Sequence, residues 1–386
     1  MEQGEYHAWI RLALTPYIGP ETFLKLLSHY QSAAAALAAS PNEIRHFVRH
    51  QQALASWQGT DDRGLRAAEA ALKWSEGEGC RLLLLCEQDF PERLGEGLTP
   101  PPLLFLRGQA SLLQRPSVSI VGSRHASPQA VRIAHDFGRA LSEQGVAVVS
   151  GMAAGIDAAA HQGALKAAGS TIAFWGTGID RIYPADNRQL AYQIAEQGLI
   201  VSEFPLGTRP LAGNFPRRNR LIAALSEATL VVEAALESGS LITARLAGEM
   251  GREVLAVPGS IDNPHAKGCH RLIKDGAKLV ESLEDVLQEC PQLLQKTIMS
   301  PIPDHPPTAV VHAAEADTLL SCLSGQSDSA KWQTVLAAMG YDPVHPDSLA
   351  ERLTMPAAEV YGQLLEMELE GVVAALAGGR YQRVGR

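Results

Sequence analysis

The sequence contains few cysteines, and no two of them have the spacing of a metal or redox motif. Five cysteines occur in 386 residues, an odd number, and no C-x-x-C pair is present. They are Cys80, Cys86, Cys269, Cys290 and Cys322. This pattern argues against a disulfide framework and against a zinc site, and it is typical of a reducing cytosol. We therefore expect a cytoplasmic protein with no bound metal.

Long apolar segments are also missing. The four leucines of Leu82–Leu85 form a run of strand length, and no run approaches the length that crosses a bilayer. The sequence does not start with a basic segment followed by an apolar one, so we expect neither a secretion signal nor a membrane anchor.

The chain has no overall excess of basic residues. It has 33 Lys and Arg against 42 Asp and Glu, which gives a net charge of −9. Taken alone, this charge disfavours a nucleic-acid partner. The charges are nearly balanced in residues 115–290, whereas residues 291–386 are acidic. A site for a polyanion would therefore be a local cluster, which we expect in the middle of the chain.

Familiar catalytic motifs are absent as well. We find no G-x-G-x-x-G, P-loop, G-x-S-x-G or H-E-x-x-H pattern, and no paired carboxylates in a glycine-rich turn. The nearest enzymatic parallel is the nucleoside-monophosphate phosphoribohydrolases, whose P-G-G-x-G-T-x-x-E motif carries a glutamate one turn after the glycines. Here ESGSLITAR occupies a similar place, and none of Leu241–Arg245 is acidic. Without that carboxylate the acid/base group is missing, so such a hydrolase is the alternative rather than the favoured function.

Four segments follow from the pattern along the chain. Residues 1–75 read as a helical domain, in which Leu14–Tyr30 is similar to a helix-hairpin-helix, although Glu21 and a single nearby Lys25 favour a structural role. Residues 76–290 form the main domain, beginning with Cys80–Gly108, whose short strand-like runs RLLLLCE and PLLFLRG read as a connector leading onto a sheet. Residues 291–316 are a proline-rich linker, and residues 317–386 have the outline of a winged helix.

Within the main domain, apolar strands alternate with helices, which predicts an α/β fold: a Rossmann-like parallel sheet with helices on both faces. The predicted strands are Val118–Val121, Val146–Ser150, Thr171–Trp175, Leu199–Ser202, Thr229–Val232 and Glu253–Val257. Predicted helices between them include Pro128–Gln144 and Ser240–Met250.

Small residues, hydroxyls and arginines follow these strands. Ligands of open α/β sheets bind beyond the carboxyl ends of the strands. The first strand leads into Gly122, Ser123 and Arg124, and helices beginning near Gly122, Gly151 and Ser238 would point their positive ends at the same place. Further candidates there are Gly151, Thr177, Gly178, Ser238, Gly239, Ser240 and Lys267. Together they predict a phosphate ligand, while leaving a nucleotide and a nucleic acid both open.

The stretch NFPRRNR, Asn214–Arg220, adds an aromatic ring to a basic run. An exposed Phe215 beside Arg217, Arg218 and Arg220 is what stacking on a single-stranded base requires. Alternatively, Phe215 is a core residue and an arginine pairs with an acid. We expect those arginines around Glu203 or Glu233.

Asp157 and His161 have the i,i+4 spacing of a metal-ligand pair on one helix face. A third ligand is not evident, so a helix cap and a core or surface histidine are favoured over a metal site.

Eight motifs, in order, resemble the DNA-processing protein A family, DprA or Smf. They are VGSR, SGMAAGIDAAAH, GTGIDRIYP, SEFP, NFPRRNRLIAALS, ESGSLITA, VPG and LIKDGA, and the likeness spans Ser117–Leu287. The family usually has an asparagine where His270 stands. The flanks also fit the family's plan, a helical sterile-alpha-motif-like N-terminal domain and a C-terminal winged helix.

The resemblance implies a non-enzymatic protein of natural transformation that needs no cofactor. It implies binding to single-stranded DNA, a homodimer through the Rossmann-like domain, and help in loading a RecA-type recombinase. By motif, Gly122, Ser123 and Arg124 would form part of the phosphate pocket. The strand path would include Phe215, Arg217, Arg218, Asn219 and Arg220.

The winged helix has the wrong charge for DNA. Its second helix, Ala357–Glu370, carries Glu359, Glu366, Glu368 and Glu370 and no Lys or Arg. A helix in a major groove faces phosphates, so a protein partner or a structural role is favoured here.

Overall fold

The computed structural model of the chain describes residues 2–261, 263–293, 332–339 and 343–384. Two compact units are present: residues 1–126 with 130–299, and residues 127–129 with 300–386. Helices of the first unit are α1 Gln3–Ala13, α2 Pro20–Tyr30, α3 Ala33–Ala38, α4 Pro41–Ile44, α5 Gln51–Leu54, α6 Arg63–Ser75, α7 Pro128–Glu143, α8 Ile156–Ala164, α9 Arg188–Gln197, α10 Asn214–Leu225, α11 Gly239–Glu249, α12 Lys267–Lys274 and α13 Leu283–Glu289.

A nine-stranded sheet forms the centre of the first unit, counted over the described residues. Its strands are β1 Cys80–Leu84, β2 Leu103–Gly108, β3 Ser117–Val121, β4 Ala147–Ser150, β5 Thr171–Phe174, β6 Leu199–Ser202, β7 Ala228–Val231, β8 Glu253–Ala256 and β9 Lys278–Leu279. Their order is β1-β2-β6-β5-β4-β3-β7-β8-β9, and the seven strands from β6 to β9 are parallel. The predicted strands match β3–β8 to within one residue at each end.

The sheet is covered on both faces, as its continuous apolar strands require. Side chains alternate along a strand, so Val118 and Ile120 of β3 face one layer while Val121 faces the other. The first layer contains α7, α8 and α13, and the second contains α10, α11 and α12. The predicted α/β class is confirmed.

The strand-like runs predicted in Cys80–Gly108 are confirmed as strands, but the expectation that the segment is only a connector is wrong. Its two leucine-rich runs are β1 and β2, strands of the sheet itself. They pair antiparallel with each other, Leu82 opposite Phe105, and β2 pairs antiparallel with β6. Strands buried on both faces and strands ahead of a sheet have the same apolar composition, which is why composition did not separate them.

The N-terminal helices pack on this antiparallel edge. Leu82, Leu84 and Phe105 share one buried cluster with Trp9 and Phe23 from α1 and α2. The indole of Trp9 donates a hydrogen bond to the Pro102 carbonyl at 2.8 Å. Within α2, just after the turn, Lys25 pairs with Glu21 at 2.6 Å, so this nearby cation is engaged.

The second unit has the winged-helix outline. Its helices are α14 Gln333–Met339, α15 Pro346–Leu353 and α16 Ala357–Leu369, followed by the antiparallel pair β10 Val373–Leu376 and β11 Arg380–Arg383. Val360, Leu364 and Met367 turn one face of α16 into the core. The predicted linker, 291–316, lies outside the described residues beyond Leu293.

Candidate functional site

A cavity of about 520 Å³ opens at the carboxyl edge of the sheet. Strand β3 has β4 on one side and β7 on the other, so the strand order reverses there. Such a reversal separates the loops that follow neighbouring strands and leaves a crevice for a ligand. The loops after β3 and β7 and the start of α11 line it. Its walls include Gly122, Ser123, Arg124, His125, Asp157, Phe215, Arg218, Asn219, Glu237, Ser238, Gly239, Ser240, Thr243 and His265.

Gly122 is required by the close approach of two backbones. A Cβ atom there would lie 2.6 Å from Ile156 and 2.9 Å from the Glu233 carbonyl. That carbonyl accepts a hydrogen bond from the Ser123 amide at 2.7 Å, and the Ser123 carbonyl accepts one from the Ile156 amide. The turn is thus fixed on both sides, and it holds the next residue at the rim of the cavity.

Arg124 is exposed at that rim. Within the described residues it pairs with no carboxylate, and its guanidinium carbon lies 5.6 Å from the centre of the Phe215 ring. A guanidinium that is not neutralised by the protein is available to a phosphate.

Phe215 is half-buried. It is thus intermediate between the two predicted alternatives, an exposed stacking ring and a core residue. It stands in the first turn of α10, and a Cβ at Gly176 would come within 2.9 Å of its ring. The ring therefore packs on the loop after β5 while still lining the cavity.

Arg218 is buried, with 4% of the residue exposed. Its Nη1 donates to the Gly151 and Phe174 carbonyls, and its Nε donates to the Asn219 side chain at 3.1 Å. Burial lowers the pKa of Arg218 to about 10, so the group stays charged at neutral pH. It contributes a fixed positive charge to the cavity wall.

Asp157 and His161 do not approach a third ligand. Asp157 accepts hydrogen bonds from the Gly151 and Ala153 amides, and burial raises the pKa of its carboxyl. His161 is fully buried, with Nδ1 2.7 Å from the Thr171 hydroxyl. Within the described residues no group of three His, Cys, Asp or Glu side chains could hold a metal.

The other two arginines of α10 surround Glu203. Arg217 and Arg220 reach the same carboxylate oxygen at 3.2 and 2.5 Å, and Arg220 also donates to the Thr99 carbonyl. The expected pairing with Glu203 is present. Arg218 donates to the Gly151 and Phe174 carbonyls, and the expected arginine neighbours of Glu233 stay a prediction.

One of the three expected helix ends lies at the site. Helix α11 begins at Gly239, with Ser238 as its N-cap, and presents Ser240 and Thr243 to the cavity. The expectation of helix starts near Gly122 and Gly151 is wrong, because α7 begins at Pro128 and α8 at Ile156. Several residues of loop come first in both cases.

Some predicted site residues use their polar groups internally. The Thr177 hydroxyl donates to the Arg181 carbonyl, and the amides of Gly178 and Gly151 donate to Thr208 and Asp157. Lys267 donates to the Ile261 carbonyl and does not line the cavity. None of these four brings a free polar group to the cavity in this structure.

Two cavity histidines were missed by the sequence reasoning. His125 follows Arg124 directly, and His265 precedes Lys267 by two residues. For His125, adjacency to the Gly-Ser-Arg turn was the available signal. His270 instead bonds the Gly259 carbonyl through Nε2 at 2.9 Å, which ties α12 to the loop after β8.

Helix α16 of the second unit is apolar and acidic on its exposed side. Tyr361, Leu365 and Leu369 are 41%, 55% and 82% exposed, and they recur every four residues on one face. Glu359 and Glu370 are exposed as well. This surface lacks the cations that a DNA-reading helix needs.

None of the described helices is both long enough and apolar enough to cross a membrane.

Three family models match the chain. The model described as DNA recombination-mediator protein A matches residues 81–291. The DprA winged helix domain matches 303–379, and the DprA-like N-terminal HHH domain matches 3–57.

Relatives and solved structures agree with these matches. Protein Smf of Synechocystis is 34% identical over 99% of this chain and 100% of its own length. Protein Smf of Escherichia coli is 40% identical over 83% of this chain and 82% of its own. The X-ray structure of DNA processing protein A from Streptococcus pneumoniae aligns with a TM-score of 0.64 and 35% identity, over 75% of this chain and 98% of that one. The chain therefore belongs to the DNA recombination-mediator protein A family, DprA or Smf.

Proposed function

We propose that the chain binds single-stranded DNA along the carboxyl edge of its sheet. The observation that carries this proposal is the cavity between β3 and β7, where Arg124, which pairs with none of the described carboxylates, lies 5.6 Å from the half-buried Phe215 ring. A guanidinium suits a backbone phosphate and a ring face suits an unpaired base. In a duplex the bases are stacked on each other and that ring would have no partner.

The turn after β3 favours a strand over a dinucleotide. A pyrophosphate needs two close backbone approaches and hence a glycine-rich loop. Here one glycine, Gly122, is followed by a hydroxyl and a guanidinium, which suits one phosphate of a chain. A Helicobacter pylori DNA processing protein A, 30% identical over 55% of this chain with a TM-score of 0.50, is described as binding single-stranded DNA, which supports this assignment.

The role that goes with this binding is recombination mediation. The chain would act in the cytoplasm as a homodimer through its sheet domain and help load a RecA-type recombinase on incoming DNA during natural transformation. Family membership and the family's name support the recombination role.

A non-enzymatic role is supported by the position of the carboxylates. The first turn of α11, where a phosphoribohydrolase carries its glutamate, has none. Glu237 lines the cavity but precedes that helix, and Glu233 is buried behind the turn. A catalytic carboxylate would have to act from an unusual position.

The test is fluorescence anisotropy with a labelled oligothymidylate and a duplex of equal length. We expect tighter binding to the single strand. Arg124→Ala should weaken binding to every sequence alike, and the slope of log K against log salt should fall by about 0.7 for one lost phosphate contact.

Arg139→Ala is the matched control, because Arg139 is exposed on α7 and paired with Glu143 away from the cavity. It should bind as the wild type does. Equal affinity for both DNAs, or an unchanged salt slope in folded Arg124→Ala, would contradict the proposal. Recombinase loading is tested by filament assembly on strands coated with single-strand-binding protein, which the chain should accelerate.

A further inference from the structure

Tyr183 is an exposed aromatic residue beside the proposed DNA path. The residue is 44% exposed, and its ring centre lies 5.6 Å from that of Phe215, with the two planes at 42°. Within the described part of the chain its hydroxyl has no hydrogen-bond partner. The ring is therefore held next to a predicted base-contacting residue with much of its surface in solvent.

The loop that carries Tyr183 is anchored at several points. The Gly178 amide donates to the Thr208 carbonyl, and the Asp180 carboxylate accepts from the Gly207 amide at 2.8 Å. At the other end, the Asn187 side chain donates to the Met152 carbonyl at 2.9 Å. A surface that is already ordered loses less entropy when it binds a ligand.

The residue before Tyr183 fixes its direction. Ile182 packs against the buried cluster shared by the sheet and the N-terminal helices. Because its neighbour turns inward, the Tyr183 side chain turns towards solvent. Arg181 is exposed too, and none of the described carboxylates forms an ion pair with it.

Two side chains from separate loops approach the Phe215 ring at the start of α10. Arg124 comes from the loop after β3 and Tyr183 from the loop after β5. The guanidinium carbon of Arg124 and the ring centre of Tyr183 each lie 5.6 Å from the centre of the Phe215 ring. A cation and a second ring beside the first ring suit a strand that offers a phosphate and consecutive bases.

We propose that Tyr183 is a second base-stacking surface, which takes the base next to the one on Phe215. The proposal rests on the proposed function and extends the strand path from the cavity towards the loop after β5.

The experiment compares Tyr183→Ala and Tyr183→Phe with the wild type, by anisotropy of a labelled oligothymidylate over a range of salt. Tyr183→Ala should bind about 5- to 150-fold more weakly, the range for one lost base–ring contact. Tyr183→Phe keeps the ring and should bind as the wild type does. The salt slope should be unchanged in both, since no phosphate contact is lost.

Tyr192→Ala is the matched control. Tyr192 is 47% exposed in the same unit, and its ring is covered by Arg188 at 5.8 Å. It should bind as the wild type does, which would show that losing an exposed tyrosine does not weaken binding in general.

A double mutant separates stacking from support of Phe215. If Tyr183 only holds the Phe215 ring in position, Tyr183→Ala will not change the affinity for the oligonucleotide in a Phe215→Ala background. If Tyr183 is a separate stacking surface, Tyr183→Ala will weaken binding further in that background. Wild-type affinity in Tyr183→Ala, weak binding of Tyr183→Phe, or no further loss in the double mutant would overturn the proposal. Failure of the wild type to bind the oligonucleotide would instead reject the proposed function, and this inference with it.

Discussion

Two neighbouring arginines of α10 have opposite environments. The Arg217 side chain is 46% exposed, pairs with Glu203 and lies over the Phe204 ring, whereas Arg218 is buried against the ends of β4 and β5. A shift of one position along the helix moves the side chain from solvent to the core, and the two charges therefore have different roles. Arg217 is free to rearrange towards a ligand, but Arg218 is part of the framework.

We expect Arg218→Ala to destabilise the fold and Arg217→Ala to leave it nearly unchanged. Arg218→Ala removes the donor of two buried carbonyls, Gly151 and Phe174, at about 1–3 kcal/mol each. The Arg217 side chain is half exposed, and the buried Glu203 carboxylate would keep Arg220 at 2.5 Å, so the loss of Arg217 should cost about 0–1 kcal/mol. Denaturant unfolding measures both, and equal destabilisation by the two variants would contradict the assigned environments.

His161 predicts a dependence of stability on pH. Its Nδ1 donates to the Thr171 hydroxyl, which itself donates to the Val148 carbonyl, and its Nε2 is buried with no partner among the described residues. Protonation would bury a charge, so burial lowers the pKa of His161 to about 3 from its usual value of 6.5.

The unfolded chain takes up this proton below pH 6.5 and the folded chain does not. The contribution of neutral His161 to the free energy of unfolding is therefore fully present above pH 6.5. It falls as the pH drops towards 3, with a slope of up to about 1.4 kcal/mol per pH unit. We expect the wild type to lose more unfolding free energy than His161→Gln between pH 7.5 and 5. Parallel losses in urea unfolding at the two pH values would reject this role.

The burial of Arg218 could have been read from the sequence. Arg218, Leu221, Ile222 and Leu225 fall on one face of a helix, at spacings of three, four and seven residues, and all four are buried. The basic composition of this run predicts an exposed surface, whereas its helical period places Arg218 on the buried face. The Arg124–Phe215 approach, by contrast, joins elements over 90 residues apart, and periodicity holds no information on it.

At the scale of elements, the predicted strands and helices match their observed bounds equally well. The six predicted strands and the predicted helices Pro128–Gln144 and Ser240–Met250 agree with the structure to within one residue at each end. The expectation that helices begin near Gly122 and Gly151 was wrong, although Pro128 already marked the start of α7. The loops between strand and helix, which carry Ser123 and Arg124, have no period from which their conformation could be derived.

The winged helix should be dispensable for binding single-stranded DNA. Its exposed helix α16 carries acidic and apolar side chains and would repel a backbone. A chain ending near Pro307 should keep the affinity of the full protein or gain slightly. Anisotropy on the same oligonucleotide decides this, and a large loss of affinity would show that another face of the winged helix contacts DNA.

At the scale of the whole molecule, the main question is whether the cavity is catalytic. We expect no release of free base from nucleoside monophosphates, and no metal-dependent cleavage of DNA, at protein concentrations that saturate single-strand binding. Chromatography of the nucleotide and gels of end-labelled DNA measure the two reactions. Turnover that disappears in Glu233→Gln or Glu237→Gln would establish the hydrolase alternative.

The overall architecture was largely predictable, and the edge of the sheet was not. Alternating apolar strands and helices specify a parallel sheet with two covered faces. Strands β1 and β2 directly precede that alternating pattern and pair with each other. Strand β2 joins the sheet by antiparallel pairing with β6, about 95 residues later, and no local pattern records such a contact.

The shared core of the N-terminal helices and the sheet has a practical consequence for dissecting the protein. A fragment that starts at residue 76 would leave Leu82, Leu84 and Phe105 facing water along an antiparallel edge, which is a template for aggregation. Loss of activity in such a deletion would report misfolding rather than the task of the missing helices. Point substitutions on their outer surface are the informative route to the function of these helices.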